Sequence, residues 1–378
     1  MAFVHLHFHS QYSLLESAVK IPDALARAKE LAMPALALTD LGNMFGAVDF
    51  YLAAKSAGIK PILGCEIYYT SGSRLTKNAV SKKRINVSAD EEEANRLYHL
   101  VLLAKDADGY RSLCELVTRT YTEGFHHGKP RADRELIEKY SKGLVCLSAG
   151  IKGEVGYHCA TGRPDRATET ARWFQSVFKD DYFLELQENG LPPQSNANSM
   201  CVDIGKELGV GLVACADVHY LKKELAPAHE VLMCIGAGRN VDDSRAVRLN
   251  PDEFWFKDEA TMRSQFHWMP EAVDNAALIA EKCNFQFKLK DEKGNQIYHL
   301  PAYLPSQWED TNSERPPHMQ IQSDLAETHR AEVFSADGTF SSENFLRLLS
   351  RKGLEDRFAV IAARRASSGP LTEEIKKT

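Results

Sequence analysis

The sequence lacks a long hydrophobic run, a CxxC pair and a surplus of positive charge. Spanning a membrane takes about 18 consecutive apolar residues, so no transmembrane helix is expected, and the N-terminus has no signal-peptide pattern. The eight cysteines are scattered, mostly within apolar runs, as in reduced cores of cytoplasmic proteins. A formal net charge of −6 excludes a general attraction to nucleic acid, which leaves only local basic patches for such binding.

Short apolar runs alternate with helical patterns along most of the 378 residues. Strands are predicted at 3–9, 35–40, 60–70, 98–105, 143–150, 182–189 and 210–221. Helices are predicted at 22–33, 43–57, 165–178 and 270–283. The strands are apolar on both faces, so the alternation predicts an α/β fold with a parallel sheet covered by helices, either a barrel or a doubly wound sheet.

Three histidines stand at alternate positions in FVHLHFHS, residues 3–10. On a β-strand, His5, His7 and His9 would share one face, because successive side chains point to opposite faces. Two imidazoles at this spacing can reach one metal ion at a strand end. The alternative is a half-buried strand whose histidines are hydrogen-bonded.

Chemistry in both architectures gathers at the C-terminal ends of the strands. This rule selects His7, His9, Asp40, Glu66, Asp217 and His219. Imidazoles and carboxylates together suit Zn²⁺ or Mn²⁺, and a carboxylate such as Glu66 can bridge two ions. Asp40 either contacts the metal or caps the loop that follows it. His99 precedes its apolar run, and a loop turning inward is the only explanation that the sequence offers for it.

Two polar stretches interrupt the alternation. Residues 71–93 hold a basic block and then an acidic one, which is typical of a solvated loop, with contact to a phosphate backbone as the alternative. Residues 305–342 predict a linker. A basic helical stretch follows at 343–366, with Phe345, Leu348 and Leu349 on one face and a break at Gly353.

Five stretches resemble the N-terminal PHP (polymerase and histidinol phosphatase) domain of bacterial DNA polymerase III alpha subunits. They are FVHLHFHSQYSLL, MPALALTDLGNMFGAVDFY, AGIKPILGCEIYY, YHLVLLAKDADGYRSL and CADVHYL. The stretches YHLPAYLP and NFLRLLSRKGLEDRF are similar to the exit from that domain and to the start of the polymerase region. The resemblance implies a distorted seven-stranded β/α barrel over 1–287, a linker over 288–342 and the helical start of the polymerase region over 343–378.

The same resemblance implies up to three metal ions. Its ligands correspond to His7, His9, Glu16, Glu66, His99, Asp217 and His219, with Glu66 and Asp217 as the candidate catalytic residues. Glu16 stands where the family usually has Asp, Leu41 where it has His, and Gly150 where it has Cys. Leu and Gly carry no ligand atom, so only the set of His7, His9, Glu66 and Asp217 is complete, and fewer than three ions of Zn²⁺ or Mn²⁺ are expected.

Three functions follow as alternatives. The first is a mainly structural PHP portion of a DNA-directed DNA polymerase, with DNA, a separate proofreading exonuclease subunit and other replisome subunits as partners. The second is a metal-dependent phosphoesterase acting as a 3′–5′ exonuclease. The third is a stand-alone phosphatase of the histidinol-phosphate type, in which the helix at 343–366 would be an orphan. The Mg²⁺-binding carboxylates of the polymerase are expected beyond residue 378, so this chain alone is not expected to extend a primer.

Overall fold

The computed structural model describes residues 2–76, 96–242, 252–289, 293–294, 297 and 328–366. The chain divides into two compact units, the first ending at Phe287 and the second beginning at Lys288. Most of the charged stretch 71–93, from residue 77 onward, lies outside the described residues.

The first unit is built on one mixed sheet. Its strands are β1 (Ala35–Leu38), β2 (Lys60–Tyr69), β3 (Tyr98–Ala104), β4 (Arg131–Ala132), β5 (Leu144–Leu147), β6 (Tyr182–Gln187) and β7 (Gly211–Cys215). They are ordered β1-β2-β3-β5-β6-β7, and β4 pairs with β2 off this path. The six strands predicted after residue 9 are confirmed, but the prediction of a purely parallel sheet is wrong, because β3 runs antiparallel to both β2 and β5.

Residues 3–9 form no regular strand, contrary to the prediction, but they close the sheet into a barrel. Their backbone bonds alternate between two neighbours instead of forming a ladder with one. On one side the amide of Ala37, in β1, donates to the carbonyl of His5 at 3.0 Å. On the other side the amide of His9 donates to the carbonyl of Val218, just beyond β7, at 2.9 Å. Together with the six strands of the sheet path, this segment makes the distorted seven-stranded barrel that the resemblance implies.

Helices cover the outside of this sheet. They are α1 (Ile21–Glu30), α2 (Ala47–Ala57), α3 (Ala107–Thr122), α4 (Arg134–Lys139), α5 (Glu154–Ala160), α6 (Pro164–Phe178), α7 (Pro192–Leu208), α8 (Ala226–Ala237), α9 (Glu259–Gln265) and α10 (Pro270–Lys282). The four predicted helices are confirmed as α1, α2, α6 and α10, with ends shifted by a few residues. Proline stands in the first turn of α1, α6 and α10, where its missing N–H costs no hydrogen bond.

Consecutive residues of β3 show that both faces of the sheet are covered. Leu100, Val101, Leu102 and Leu103 are all buried, although they point alternately inward and outward. Full burial of one such side chain stabilises the fold by about 1.5–3 kcal/mol. All eight cysteines are free, and seven of them are buried. Within the described ranges, no helix combines the length and the apolar character needed to cross a membrane.

The second unit has a small apolar cluster of its own. Its described helices are α11 (Arg330–Val333), which falls in the stretch predicted as linker, and α12 (Ser342–Ala366). Phe345 and Leu348 are buried against Val333, and Leu349 packs beside them, so the predicted apolar face is confirmed. The predicted break at Gly353 is wrong, since α12 continues through it. One glycine costs a helix only about 1 kcal/mol, which is too little to end it.

Two helical glycines with opposite surroundings offer a test of this packing. At Gly109, near the start of α3, an added Cβ would lie 1.9 Å from the carbonyl oxygen of Gly143. We therefore expect Gly109→Ala to lower the free energy of unfolding of the first unit by about 1–3 kcal/mol in urea titrations. At Gly353 an added Cβ meets no atom within 4 Å, so Gly353→Ala should not destabilise its helix. Equal effects of the two changes would contradict the tight approach of α3 to Gly143.

Candidate metal centre

The structure brings together the four residues whose set is complete in the sequence. His7 Nε2 lies 3.4 Å from Glu66 Oε1 and 3.4 Å from Asp217 Oδ1. His9 Nε2 lies 3.4 Å from Glu66 Oε2 and 3.3 Å from Asp217 Oδ1. All four side chains are fully buried. Two imidazoles and two carboxylates thus face one point inside the barrel.

Three segments that the barrel places side by side supply these residues. The closing segment carries His7 and His9, β2 carries Glu66, and the turn after β7 carries Asp217. Asp217 has a φ of +51°, in the left-handed region that Asp adopts more readily than most residues. That turn begins directly at the end of a parallel strand, where the rule of C-terminal strand ends places functional side chains.

Three atoms of this group are buried without a hydrogen-bond partner: His7 Nε2, His9 Nε2 and Glu66 Oε2. Each such atom costs about 1–3 kcal/mol, which a bound ion would offset. The ligand atoms offered by His7, His9 and Asp217 all lie within 4.8 Å of one another. Imidazole nitrogens with carboxylate oxygens are the donor set of Zn²⁺ and Mn²⁺ sites. The residues present therefore fit a metal ion.

Glu185, on β6, orients His7. Its Oε1 lies 2.8 Å from His7 Nδ1 and also accepts from Gln187 Nε2 at 2.7 Å. A carboxylate on one imidazole nitrogen fixes the ring and aims the other nitrogen, as metal-ligating histidines require. Burial lowers the pKa of His7, but the nearby carboxylates of Glu185, Asp217 and Glu66 outweigh it and raise the pKa well above its usual value. The centre thus favours positive charge at this point.

The hydroxyl of Ser13 sets the tautomer of His9. Ser13 Oγ lies 3.0 Å from His9 Nδ1 and donates its one proton to Asp40 at 2.7 Å. His9 must therefore donate from Nδ1, which leaves a lone pair on Nε2 facing the centre. Burial, together with the stacked ring of His219 at 4.4 Å, lowers the pKa of His9 to about 3. His9 is accordingly neutral at pH 7 and suited to bind a cation.

Asp40 lies beside the centre and holds a loop. Its carboxylate accepts from the backbone amide of Ser10 at 2.7 Å, from the Ser10 hydroxyl at 2.8 Å and from Ser13. The structure therefore favours the loop-capping alternative for this residue.

His219 is already engaged on both ring nitrogens. Its Nε2 lies 3.1 Å from Asp217 Oδ1, and its Nδ1 lies 2.8 Å from the backbone carbonyl oxygen of Glu16. His229, on α8, was indicated by no motif, and its Nε2 contacts the same carbonyl oxygen at 2.7 Å. Glu16 thus meets both histidines through its backbone, and Leu41, where the family has His, offers no ligand atom.

His99 reaches Glu66 because its strand is reversed. Its Nδ1 lies 2.9 Å from Glu66 Oε1, and it sits near the start of β3. The start of an antiparallel strand lies at the same edge as the C-terminal ends of parallel strands, so the inward-turning loop expected from the sequence is wrong. Gly150 has a φ of +54°, and a Cβ there would lie 2.6 Å from Gln187 Cδ. The amide of Gln187 therefore occupies the room that a cysteine at this position would need.

Lys152 is a further residue of the centre, and no sequence motif indicated it. Its Nζ donates to Asp217 Oδ2 at 2.9 Å. Burial raises the pKa of Asp217, but Lys152, His7 and His219 outweigh it and hold the pKa well below its usual value. For Glu66, His99 and His7 outweigh burial in the same way, and its pKa is also held low. Both carboxylates are thus negatively charged at pH 7.

Comparison with known proteins gives one consistent family. A PHP domain model matches residues 5–189. The chain is 41% identical over 287 residues to DNA polymerase III subunit alpha of Borreliella burgdorferi, covering 76% of this chain and 24% of that protein. The same subunit of Treponema pallidum is 35% identical over 363 residues, which is 96% of this chain and 27% of that protein. The chain therefore spans about a quarter of the length of these curated relatives.

Removal of the Glu185 carboxylate, which accepts from His7 Nδ1, tests how this imidazole is oriented. We expect Glu185→Ala to lower the free energy of unfolding by about 1–3 kcal/mol in the presence of a chelator, because His7 Nδ1 and Gln187 Nε2 lose their partner. Glu185→Gln keeps an acceptor oxygen and should lose less. Glu169→Ala, on the exposed side of α6, is the control and should change little. Equal stability of Glu185→Ala and the control would contradict the assigned role.

Proposed function

This chain carries the PHP domain found at the N-terminus of bacterial DNA polymerase III alpha subunits, and we propose that it serves a replicative polymerase there, chiefly as a structural domain with one reduced metal centre. We further propose that the domain works within the cytoplasmic replisome, with DNA and a separate proofreading exonuclease subunit as partners. DNA synthesis itself would belong to the palm carboxylates of such a polymerase subunit.

One observation carries the structural role. Among the described residues, His7, His9 and Asp217 bring ligand atoms within 4.8 Å of one another, and Glu66 lies beside both imidazoles. Two positions of the other sets hold Leu41 and Gly150, which carry no ligand atom. Lys152 contacts Asp217, and Gln187 fills the space beside Gly150. Two-metal phosphodiester cleavage needs ions on both the attacking and the leaving oxygen, and a single ion does not supply this arrangement.

The chain's own residues would hold one Zn²⁺ or Mn²⁺ through His7, His9, Glu66 and Asp217. When bound, such an ion lowers the pKa of a water ligand and stabilises negative charge. Glu185 keeps the His7 ring aimed at the centre. Because these ligands come from the closing segment, from β2 and from the turn after β7, they join the two sides of the barrel closure.

The exonuclease remains the second candidate, because the three unpartnered atoms at His7, His9 and Glu66 lie beside candidate catalytic carboxylates. The stand-alone phosphatase is disfavoured by similarity to a polymerase subunit over 96% of the chain, which includes the second unit.

A nuclease assay on the full chain separates the two candidates. With 5′-labelled single-stranded DNA and Mn²⁺ or Zn²⁺, we expect no removal of 3′ nucleotides above background. His7→Ala and Asp217→Ala should leave that background unchanged while abolishing metal-dependent stabilisation. That increment is about 2.7 kcal/mol when the free ion is at 100 times its Kd, and thermal unfolding with and without chelator measures it.

The control for this assay is His267→Ala, which removes an exposed imidazole far along the chain and should keep the full metal-dependent increment. Mn²⁺-dependent shortening of the DNA that disappears in His7→Ala or Asp217→Ala, but not in His267→Ala, would establish the exonuclease and overturn the structural role.

A further inference from the structure

Lys152 reaches the metal centre through an unusual turn. The chain leaves β5 and enters a short 3₁₀ turn, Gly150–Lys152. Ala149 and Gly150 have φ values of +58° and +54°, so two consecutive residues are left-handed. Alanine adopts this region only at a cost, which the surrounding structure must offset. The turn brings the Lys152 ammonium to 2.9 Å from Asp217 Oδ2.

The two oxygens of Asp217 consequently have different neighbours. Oδ1 faces the imidazoles of His7 at 3.4 Å, His9 at 3.3 Å and His219 at 3.1 Å. Oδ2 faces the ammonium of Lys152. An ion shared with His7 and His9 would contact Oδ1, whereas a second ion on Oδ2 would have to displace Lys152 Nζ.

The charges of the centre call for a counter-ion. Glu66 and Asp217 are completely buried, and a carboxylate in such a place is costly without a compensating positive charge. The Lys152 side chain is 31% exposed, so its aliphatic stem reaches from the surface and the ammonium at its end lies against Asp217. Unlike a metal ion, this positive charge is covalently attached and does not depend on metal supply.

We propose that Lys152 is a built-in cation that takes the place of a second metal ion on Asp217 and limits the centre to one ion. This inference rests on the proposed function, since it explains how the domain stays folded with a reduced metal set. The Lys152 ammonium repels a second cation and removes the need for it.

Replacing the ammonium tests the proposal directly. Lys152→Met removes the ammonium and keeps most of the unbranched stem, and Lys152→Gln removes the charge but retains an N–H donor on a shorter side chain. We expect both variants to bind one more Zn²⁺ or Mn²⁺ per chain than the parent, as measured by elemental analysis. In calorimetric titrations their affinity for this added ion should be at least about tenfold higher than the parent's affinity for a second ion. In chelator both should unfold at a lower temperature than the parent, and added metal should restore the loss.

Two further variants control for the charge and for the loss of an ion pair. Lys152→Arg keeps the positive charge and should keep the parental metal content. Lys105→Met removes a lysine that pairs with Asp181 outside the centre, and it should lose stability without gaining metal. If Lys152→Met does not fold, Lys152→Gln carries the test.

Two results would overturn the inference: a parent that already binds two or more ions, or folded Lys152→Met and Lys152→Gln variants with parental metal content. Neither result depends on nuclease activity. Exonuclease activity in a parent that binds one ion would instead overturn the structural role and leave the inference about Lys152 standing.

Discussion

The backbone hydrogen bonds of residues 5–9 are the interaction on which the first unit depends. They join β1 on one side to the turn after β7 on the other, and so convert an open sheet into a barrel. The same few residues carry His7 and His9. Fold and centre are therefore not separable here, because any shift of this segment against Val218 would also move both imidazoles away from Asp217. The unusual backbone of the segment follows from serving two neighbours at once.

The sequence was sufficient for the parts that depend on local pattern. Alternating apolar runs located β2 and β7, and the paired spacing of His7 with His9 and of Asp217 with His219 selected residues that do meet. It failed where distant pairing decides the outcome. The direction of β3 is set by its hydrogen bonds to β2 and β5, which no local pattern encodes, and this direction is what places His99 at the centre.

Single polar residues outside the motifs are the second group that the sequence did not predict. Glu185 stands between Leu184 and Leu186 in β6, and that contrast is a signal that could have indicated it. Lys152 and His229 gave no such signal, since their positions result from a left-handed turn and from a helix that packs back onto the loop at Glu16. In each case the missing information is tertiary. The centre therefore consists of ligands visible in motifs and of partners visible only in three dimensions.

The closure of the barrel also has a consequence for the order of folding. Residues 5–9 pair with the turn that follows β7, so the contact joins residues as far apart in the sequence as His9 and Val218. Contacts of high sequence separation form slowly, because the entropy of loop closure must be overcome before they contribute any energy. During synthesis the histidines leave the ribosome long before Asp217. Neither imidazole can therefore meet Asp217 until the chain has been made past residue 217.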